Sequence, residues 1–220
     1  MARTEQRKPA RAPAPNKTKA PGTPAAKLAA APHEVRIIGG QWKRSKLPVA
    51  SKPGLRPTPD RVRETLFNWL GQDLGGWRCL DVFAGTGALG FEAASRGAKE
   101  VTLVESDSAL AAQLRGTQER LSAPMVQVQR GDGLQALKRW APASLDAVFI
   151  DPPFDMEALF EPALRAAALA LADGGFVYLE APRAWDAGEL AALGLAPHRH
   201  LKAGAVHAHL LTRLGQVAAD

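Results

Sequence analysis

Short apolar runs alternate with segments of helical spacing along most of the chain. The runs predict strands at Arg78–Phe83, Val101–Glu105, Met125–Gln129, Leu145–Ile150 and Phe176–Glu180. The segments between and after them predict helices at Gly87–Arg96, Ser108–Leu121, Leu134–Trp140, Met156–Leu171 and Trp185–Leu193. Closing strands are expected near His198–Lys202 and Val206–Arg213. This repetition of βα units predicts an α/β fold with a mainly parallel sheet and helices on both of its faces.

A hairpin and a helix are predicted ahead of this repeat. Val35–Ile38 alternates like a strand, Gly39-Gly40 is typical of a turn, and Gln41–Leu47 is expected to return as the second strand. Thr58, Pro59 and Asp60 then have the order of an N-cap, a first helical residue and an acid in the first turn. The helix that follows is amphipathic, because apolar residues recur at helical spacing: Val62, Leu66, Trp69 and Leu70.

Composition and charge divide the 220 residues into three parts. Residues 1–32 hold six prolines and seven Lys or Arg against one Glu, which predicts a disordered basic tail. Residues 33–75 are the hairpin-helix extension, also net basic, and residues 76–220 are a slightly acidic Rossmann-like domain. Basic charge at one end indicates a polyanionic partner, although a tail that only aids solubility explains residues 1–32 equally well.

Two absences narrow the functional classes. The single cysteine, Cys79, excludes an internal disulfide and a cysteine-based zinc site, which fits a reducing, cytoplasmic location. No apolar run reaches the roughly 18 residues of a membrane span, so no membrane association is expected.

A glycine-rich loop follows the first strand of the repeat. Gly85–Gly90 reads G-x-G-x-x-G, and Glu105 lies at the end of the second strand, so the pattern fits a dinucleotide site. Asp81 argues against a dinucleotide, because its carboxylate would repel a pyrophosphate and attract an ammonium group. A cofactor with an amino-acid end and an adenosine end fits better, and S-adenosylmethionine is such a molecule. We expect the loop residues Phe83, Gly85, Thr86 and Gly87 to bind it together with Asp81.

Two further carboxylates are candidates for the adenosine end. Glu105 can accept hydrogen bonds from ribose hydroxyls. Asp132, which follows the third strand, can accept from the adenine amino group, and Gly133 would let the ring come close. Taken singly, Asp132 is also explained as a helix cap and Glu105 as a surface acid.

The tetrapeptide Asp151-Pro152-Pro153-Phe154 follows the fourth strand and predicts the transfer site. The prolines stiffen the backbone, Asp151 and the Pro152 carbonyl are hydrogen-bond acceptors, and Phe154 offers a flat face for stacking. Together they could hold a planar base by its exocyclic amine and turn the lone pair of that amine toward a methyl donor. Asp151 or water could take the proton that the amine releases.

The extension is the expected nucleic-acid contact. Its cations surround an aromatic residue, a mixture that suits a phosphate backbone and a stacked base. The alternative is a solvated hairpin whose Trp42 packs on the main domain. The residues assigned to RNA are Arg36, Trp42, Lys43, Arg44, Lys46, Arg56 and Arg61.

Four histidines near the end of the chain raise the question of a metal. His198 with His200, and His207 with His209, lie two apart on expected strands, so that each pair would share a face. Ordinary polar faces of closing strands explain them as well as zinc does, and no metal is expected.

The motifs together resemble one family. Asp151–Phe154 is similar to the Asp-Pro-Pro-aromatic motif of amino-methyltransferases, and three N-terminal segments resemble the signature of the RsmD family: Arg36–Trp42, Gly54–Thr58 and Asp60–Leu70. These bacterial enzymes methylate N2 of one guanine in 16S ribosomal RNA. The resemblance runs from about Arg36 to the C-terminus. One departure is that Lys43-Arg44-Ser45-Lys46 lacks the glycine expected in the basic run of the hairpin.

The resemblance implies a class I methyltransferase fold, Rossmann-like and seven-stranded, with an N-terminal β-hairpin and helix extension. It implies S-adenosylmethionine as methyl donor and 16S rRNA as partner, either naked or within a small ribosomal subunit or its assembly intermediate. Asp81, Gly85, Gly87, Glu105 and Asp132 would match the cofactor motifs. Arg56, Thr58, Arg61 and Arg63 would either close over the cofactor or bind phosphate.

Three other functions share parts of this pattern. A DNA adenine-N6 methyltransferase can carry the same tetrapeptide but usually has a sizeable target-recognition insertion, which is missing here. A nicotinamide-dependent oxidoreductase would use the glycine loop. A nucleic-acid-binding module without catalysis is disfavoured by the intact Asp151 motif.

Overall fold

The computed structural model describes residues 1, 34–52, 57–152 and 156–215. The basic tail after residue 1 and the site residues Arg56, Pro153 and Phe154 lie outside this part of the chain. Residues 31–220 form one compact unit. The further boundary placed at residue 75 stays a prediction.

Nine strands and six α-helices make up the described chain. The strands are β1 (Glu34–Arg36), β2 (Lys46–Pro48), β3 (Arg78–Asp81), β4 (Glu100–Glu105), β5 (Val126–Arg130), β6 (Leu145–Ile150), β7 (Leu171–Ala181), β8 (Leu195–Ala203) and β9 (Val206–Arg213). The helices are α1 (Asp60–Trp69), α2 (Ala88–Ser95), α3 (Ser108–Arg120), α4 (Gly133–Leu137), α5 (Phe160–Ala170) and α6 (Ala187–Ala192), and a 3-10 turn at Glu157–Leu159 precedes α5.

The central sheet has seven strands in the order β5-β4-β3-β6-β7-β9-β8. Strands β3 to β7 are parallel to one another, and β9 runs antiparallel to both β7 and β8. The mainly parallel, seven-stranded α/β sheet expected from the sequence is therefore confirmed. The strand order reverses between β3 and β6: β4 and β5 follow on one side of β3, and β6 and β7 lie on the other. Sheets of this kind bind ligands in the crevice at the carboxyl ends of the strands beside such a reversal.

Apolar residues form one core on each face of the sheet. On one face the hairpin, α1, α2 and α3 pack against Cys79, Phe149 and Tyr178. On the other face α4, α5 and α6 pack against residues such as Leu80, Val148 and Leu179. Strands buried on both faces explain why β3 and β6 read as continuous apolar runs. Within the described residues, no helix has the length and apolarity needed to cross a membrane.

The hairpin differs from its prediction, because Gln41–Arg44 forms a turn and β2 begins only at Lys46. The backbone N–H groups of this segment are bound by α2. Those of Ile38 and Gly39 donate to the carboxylate of Glu92, at 2.7 and 2.8 Å, and that of Trp42 donates to Oγ of Ser95 at 2.9 Å. A Cβ on Gly40 would lie 1.7 Å from the Ser95 carbonyl oxygen, so only glycine permits this approach.

Candidate active site

The glycine loop joins β3 to α2 in the way its sequence predicts. Gly85 and Gly87 have φ values of 52° and 76°, in the left-handed region that favours glycine. A Cβ on Gly87 would lie 2.6 Å from the Phe91 ring and 2.7 Å from the Leu114 side chain. Thr86 is buried and Phe83 half-buried, so the backbone of this loop passes close to the core.

Asp81 lies at the end of β3 beneath the loop and is buried. Its Oδ2 accepts a hydrogen bond from the Gly90 N–H at 3.1 Å. Burial raises the pKa of Asp81 to about 7, the Gly90 bond opposes that rise, and the neighbouring Glu105 adds to it. A carboxylate held in this way gains most from a cationic partner, because the cation would restore the stabilisation that water no longer provides.

Glu105, at the end of β4, is tied to the same loop. Its Oε2 accepts from the Gly85 N–H at 2.9 Å, and its Oε1 accepts from the Asp107 N–H at 2.8 Å. The Ser106 hydroxyl also donates to Oε1 at 3.4 Å. Because a carboxylate offers about four acceptor positions, Oε2 can still accept a hydroxyl hydrogen. The surface-acid alternative is wrong for this residue, because its side chain is buried and bonded to two backbone amides.

Asp132 follows β5 at the same edge of the sheet. Its Oδ1 accepts from the Gln135 N–H at 2.7 Å and caps α4, while the residue remains exposed. A Cβ on Gly133 would lie 2.1 Å from the Val82 carbonyl oxygen, so α4 begins in direct contact with the backbone after β3. Asp132 is thus a helix cap, which was the alternative explanation of this residue. Its second oxygen, Oδ2, is available at the edge of the crevice.

Asp151 directly follows β6, the strand that pairs with β3. The Thr58 hydroxyl donates to its Oδ2 at 3.3 Å, and Pro152 next to it is buried. Desolvation raises the pKa of Asp151 well above its usual range, and the nearby carboxylates of Glu180 and Asp81 raise it further. This carboxyl group therefore holds a proton more readily at neutral pH than an ordinary aspartate does.

Glu180 is a residue of the site that the sequence analysis missed. It is buried near the end of β7, and its Oε1 accepts from the Tyr178 hydroxyl at 2.8 Å. Burial raises the pKa of Glu180, while the hydrogen bond from Tyr178 and the charge of Arg63 oppose that rise. Because Ile150 pairs with Leu179 in register, Asp151 and Glu180 follow on adjacent strands and face the same side of the sheet. The sequence feature that could have identified Glu180 is its position near a strand end, two residues after a tyrosine on the same face, Tyr178.

The role predicted for Thr58 is wrong. Pro59 is the residue before α1, no side chain caps this helix, and the Thr58 hydroxyl reaches Asp151 instead. Arg63 holds Thr58 in place, because its Nε donates to the Thr58 carbonyl oxygen at 3.2 Å.

Arg63 itself is fully buried and does not lie where phosphate could reach it. Its guanidinium donates to the Arg36 carbonyl oxygen at 2.9 Å and to Oδ1 of Asp60 at 2.6 Å. It also forms an ion pair with Glu92, with 3.5 Å between Nη1 and Oε2. Arg63 and Glu92 thus connect the hairpin, α1 and α2 through one buried charged network.

The residues assigned to RNA lie in and beside the hairpin. Lys43 and Arg44 are exposed in its turn, and Arg44 has a φ of 72°, a left-handed conformation at the place where the family's glycine was expected. Trp42 is half-buried and packs against the core, in agreement with the alternative for this residue. The remaining described cations are exposed: Arg36 near Asp60, Lys46 paired with Glu34, and Arg61 on α1.

The donor set suits S-adenosylmethionine. Asp81 is a buried carboxylate without a cationic partner among its hydrogen bonds, Glu105 retains free acceptor positions, and Asp132 presents an oxygen at the rim. Asp81 ends β3, Glu105 ends β4 and Asp132 caps α4. Their order along the crevice matches the order of the amino-acid end, the ribose and the adenine in the cofactor.

A family model described as conserved hypothetical protein 95 matches residues 35–212. The chain belongs to this family. The resemblance to the RsmD family is thereby confirmed, and it extends over both the extension and the sheet.

Two curated relatives carry the name ribosomal RNA small subunit methyltransferase D. The one from Escherichia coli K12 is 50% identical over 122 residues, which are 55% of this chain and 61% of the relative. The one from Haemophilus influenzae is 50% identical over 124 residues, which are 55% of this chain and 64% of the relative. The matched segment of this RsmD-family chain therefore spans less than two thirds of these relatives' length.

The fold is that of a class I methyltransferase. The solved structure of the yhhF protein from Escherichia coli is 37% identical, with a TM-score of 0.71, and the match covers 83% of this chain and 99% of that one. TrmN from Thermus thermophilus, 22% identical, shares the fold with a TM-score of 0.56.

Proposed function

We propose that the protein transfers a methyl group from S-adenosylmethionine to the exocyclic N2 amine of a guanine in 16S ribosomal RNA. Asp151 carries the proposal, because its carboxyl group lies at the carboxyl end of β6 next to a loop suited to the cofactor and is oriented by Thr58. The names of the relatives and the membership of the family support RNA of the small ribosomal subunit as substrate.

The cofactor would be held by the residues at the ends of the first strands of the parallel sheet. Asp81 would bind the ammonium of the amino-acid end, Glu105 the ribose hydroxyls and Asp132 the adenine amine, while Phe83, Gly85, Thr86 and Gly87 form the loop around them. When bound, the cofactor supplies a methyl group on a cationic sulfur. This assignment makes Asp81 the residue whose ionisation controls cofactor affinity.

The acceptor amine would be positioned by Asp151 and its neighbours. The amine of a guanine is a poor nucleophile, because its lone pair is delocalised into the ring. Asp151 and the Pro152 carbonyl accept its two N–H hydrogens and so fix its orientation, which is the main contribution a protein can make to this reaction. Phe154 would stack on the base.

A proton leaves the amine as the new N–C bond forms. The ionised form of Asp151 is suited to receive it, because a raised pKa makes this carboxylate a stronger base than an ordinary aspartate. Glu180 contributes to this rise, and Thr58 keeps one oxygen of Asp151 oriented. The basic turn around Lys43 and Arg44 would contact the phosphate backbone of the substrate.

The proposal is tested by offering the purified protein three substrates with labelled S-adenosylmethionine: naked 16S RNA, small ribosomal subunits that lack the modification, and duplex DNA. We expect label in RNA or subunits, released on digestion as N2-methylguanosine. Label in N6-methyladenine of the DNA would support the DNA enzyme instead. Binding of a nicotinamide dinucleotide but not of S-adenosylhomocysteine would contradict the cofactor assignment.

A further inference from the structure

Three histidines meet on β8 and β9, the two strands at one edge of the sheet. His207 and His209 lie two residues apart on β9, and His200 on β8 is directly opposite His209 in the antiparallel ladder. One nitrogen from each of the three side chains lies within 4.8 Å of the others. Nε2 of His200 and Nδ1 of His207 are 3.1 Å apart.

His198 does not join them, although the sequence pairs it with His200. The ladder shifts register between Pro197 and Arg199, which places an extra residue on β8 and turns the His198 ring to the other face. That ring packs on Phe176, with 5.6 Å between the centroids.

A buried nitrogen in the cluster has no hydrogen-bond partner among the described residues. His209 is 2% exposed, and its Nε2 is buried without a donor or acceptor. An unpaired polar atom is unfavourable in a buried position, and a ligand bound to it would remove that penalty. The His209 ring lies 4.6 Å from the ring of His200, so the residue with this unpaired nitrogen is a member of the cluster.

We propose that His200, His207 and His209 bind a divalent transition metal ion such as Zn²⁺. Tetrahedral zinc with nitrogen ligands at about 2.0–2.1 Å needs its ligand atoms about 3.3 Å apart. The nitrogens of His200 and His207 are already 3.1 Å apart, and the nitrogen of His209 lies within 4.8 Å of both. Three imidazoles favour Zn²⁺, Ni²⁺ or Cu²⁺ over Mg²⁺ and Ca²⁺, which prefer oxygen ligands. The described residues contribute three ligands, which leaves one tetrahedral position for water.

Nearby cations do not block this site. Lys202, opposite His207 in the ladder, is exposed to solvent, and Arg183 is paired with Glu189 at 2.8 Å. The ion would connect β8 to β9 beside the register shift, so it would stabilise the edge of the sheet. This proposal departs from the expectation of no metal drawn from the sequence, which placed the histidines in two separate pairs.

Calorimetric titration of the tag-free full-length chain with ZnCl2 tests the site. We expect one ion per chain, an increase in melting temperature with ZnCl2, and no response to MgCl2. His200→Gln and His207→Gln should each weaken binding by at least about tenfold. His198→Gln is the matched control, on the same strand but facing away, and should bind like the parent chain.

His200 is the decisive position because it is exposed, so His200→Gln should still fold and bind S-adenosylhomocysteine with unchanged affinity. Cobalt titration adds a spectroscopic test: the parent chain should give the intense visible bands of tetrahedral Co²⁺, and His200→Gln should not. Absence of binding to the parent chain would overturn the proposal. So would equal zinc affinities of the parent and His200→Gln, which would indicate adventitious binding elsewhere.

Discussion

The Thr58 hydroxyl donates to Oδ2 of Asp151 at 3.3 Å, across 93 positions of sequence. This bond connects the N-terminal extension to the residue that would position the acceptor amine. The extension therefore contributes to the proposed active site itself, in addition to any contact with RNA.

Thr58→Val should slow methyl transfer without weakening cofactor binding. Valine has nearly the same shape but lacks the hydroxyl, so Asp151 loses an orienting bond worth about 1.5–3 kcal/mol, and kcat should fall by roughly 10- to 150-fold. Single-turnover rates and S-adenosylhomocysteine affinity measure the two effects separately. Thr65→Val is the matched control, because the Thr65 hydroxyl on the same extension donates only to the Arg61 carbonyl oxygen. Equal methyl-transfer rates for the two variants would show that the Thr58 hydroxyl does not contribute to the reaction.

The buried network of Arg63 and Glu92 should dominate the stability of the extension. Arg63→Met breaks the buried ion pair with Glu92 and removes the donor to the Thr58 and Arg36 carbonyl oxygens. Glu92 keeps its ion pair with Arg96 at 2.9 Å. The substitution should cost about 3–5 kcal/mol, or roughly 6–20 °C in melting temperature. Calorimetric melting measures the change, with the exposed Arg61→Met on the same helix as control. The double variant Arg63→Met, Glu92→Leu should be less stable than Arg63→Met, because Arg96 then loses its buried partner and two backbone N–H groups of the hairpin lose their acceptor. A loss below about 1 kcal/mol for the single variant would contradict the role assigned to this pair.

Cofactor affinity should depend on pH through Asp81. Its pKa is raised to about 7, so the carboxylate that would bind the ammonium is mostly protonated below that value and ionised above it. Affinity for S-adenosylhomocysteine should therefore rise about eightfold between pH 6 and pH 7.5. Asp81→Asn should bind weakly at both pH values and lose the dependence. A parent chain with equal affinity at both would contradict the assignment of Asp81 to the ammonium.

The same ionisation should affect the ligand-free protein in the opposite sense. A carboxyl group whose pKa is raised on folding binds more protons when folded, so the free energy of unfolding falls as the pH rises from about 4 to 7. Chemical denaturation at a series of pH values should show this decline for the parent chain. The decline should be smaller for Asp81→Asn, with the remainder coming from Asp151 and Glu180.

Neutralising the basic turn should weaken RNA binding and its salt dependence. Replacing Lys43, Arg44 and Lys46 by Gln removes up to three phosphate contacts, so the slope of log affinity against log salt should decrease in magnitude by about 2 to 3. The control replaces three exposed cations on the opposite face, two in the turn after α4 and one on α5: Lys138, Arg139 and Arg165. An equal change of slope in both triple variants would indicate that the hairpin is not the main RNA-binding surface.

Periodicity predicted the sheet and most of its acids correctly, because the carboxyl ends of parallel strands must meet at one edge. Asp81, Glu105, Asp132 and Asp151 could be placed there from the sequence for this reason. Thr58 could not be, since Thr-Pro-Asp is a standard helix start and its actual partner is distant in sequence. Glu180 resembled an ordinary acid at a strand end until its register with Asp151 was known.

The hairpin and the histidines show the same limit. The turn at Gln41–Arg44 depends on backbone donors that bond to Glu92 and Ser95, more than 50 residues away. His198 and His200 would share a face on a regular strand, and only the register shift in β8 separates them. The local sequence pattern determines where helices and strands occur. Hydrogen bonds between distant residues determine the conformation of the turns and the contacts of the residues at strand and helix ends.

Mass mapping of 16S RNA from cells with and without the gene tests the central claim most directly. We expect one N2-methylguanine to disappear when the gene is deleted and to return with the parent chain. It should not return with Asp151→Ala, although that variant should still bind S-adenosylhomocysteine. An unchanged methylation map after deletion, or full restoration by Asp151→Ala, would contradict the account.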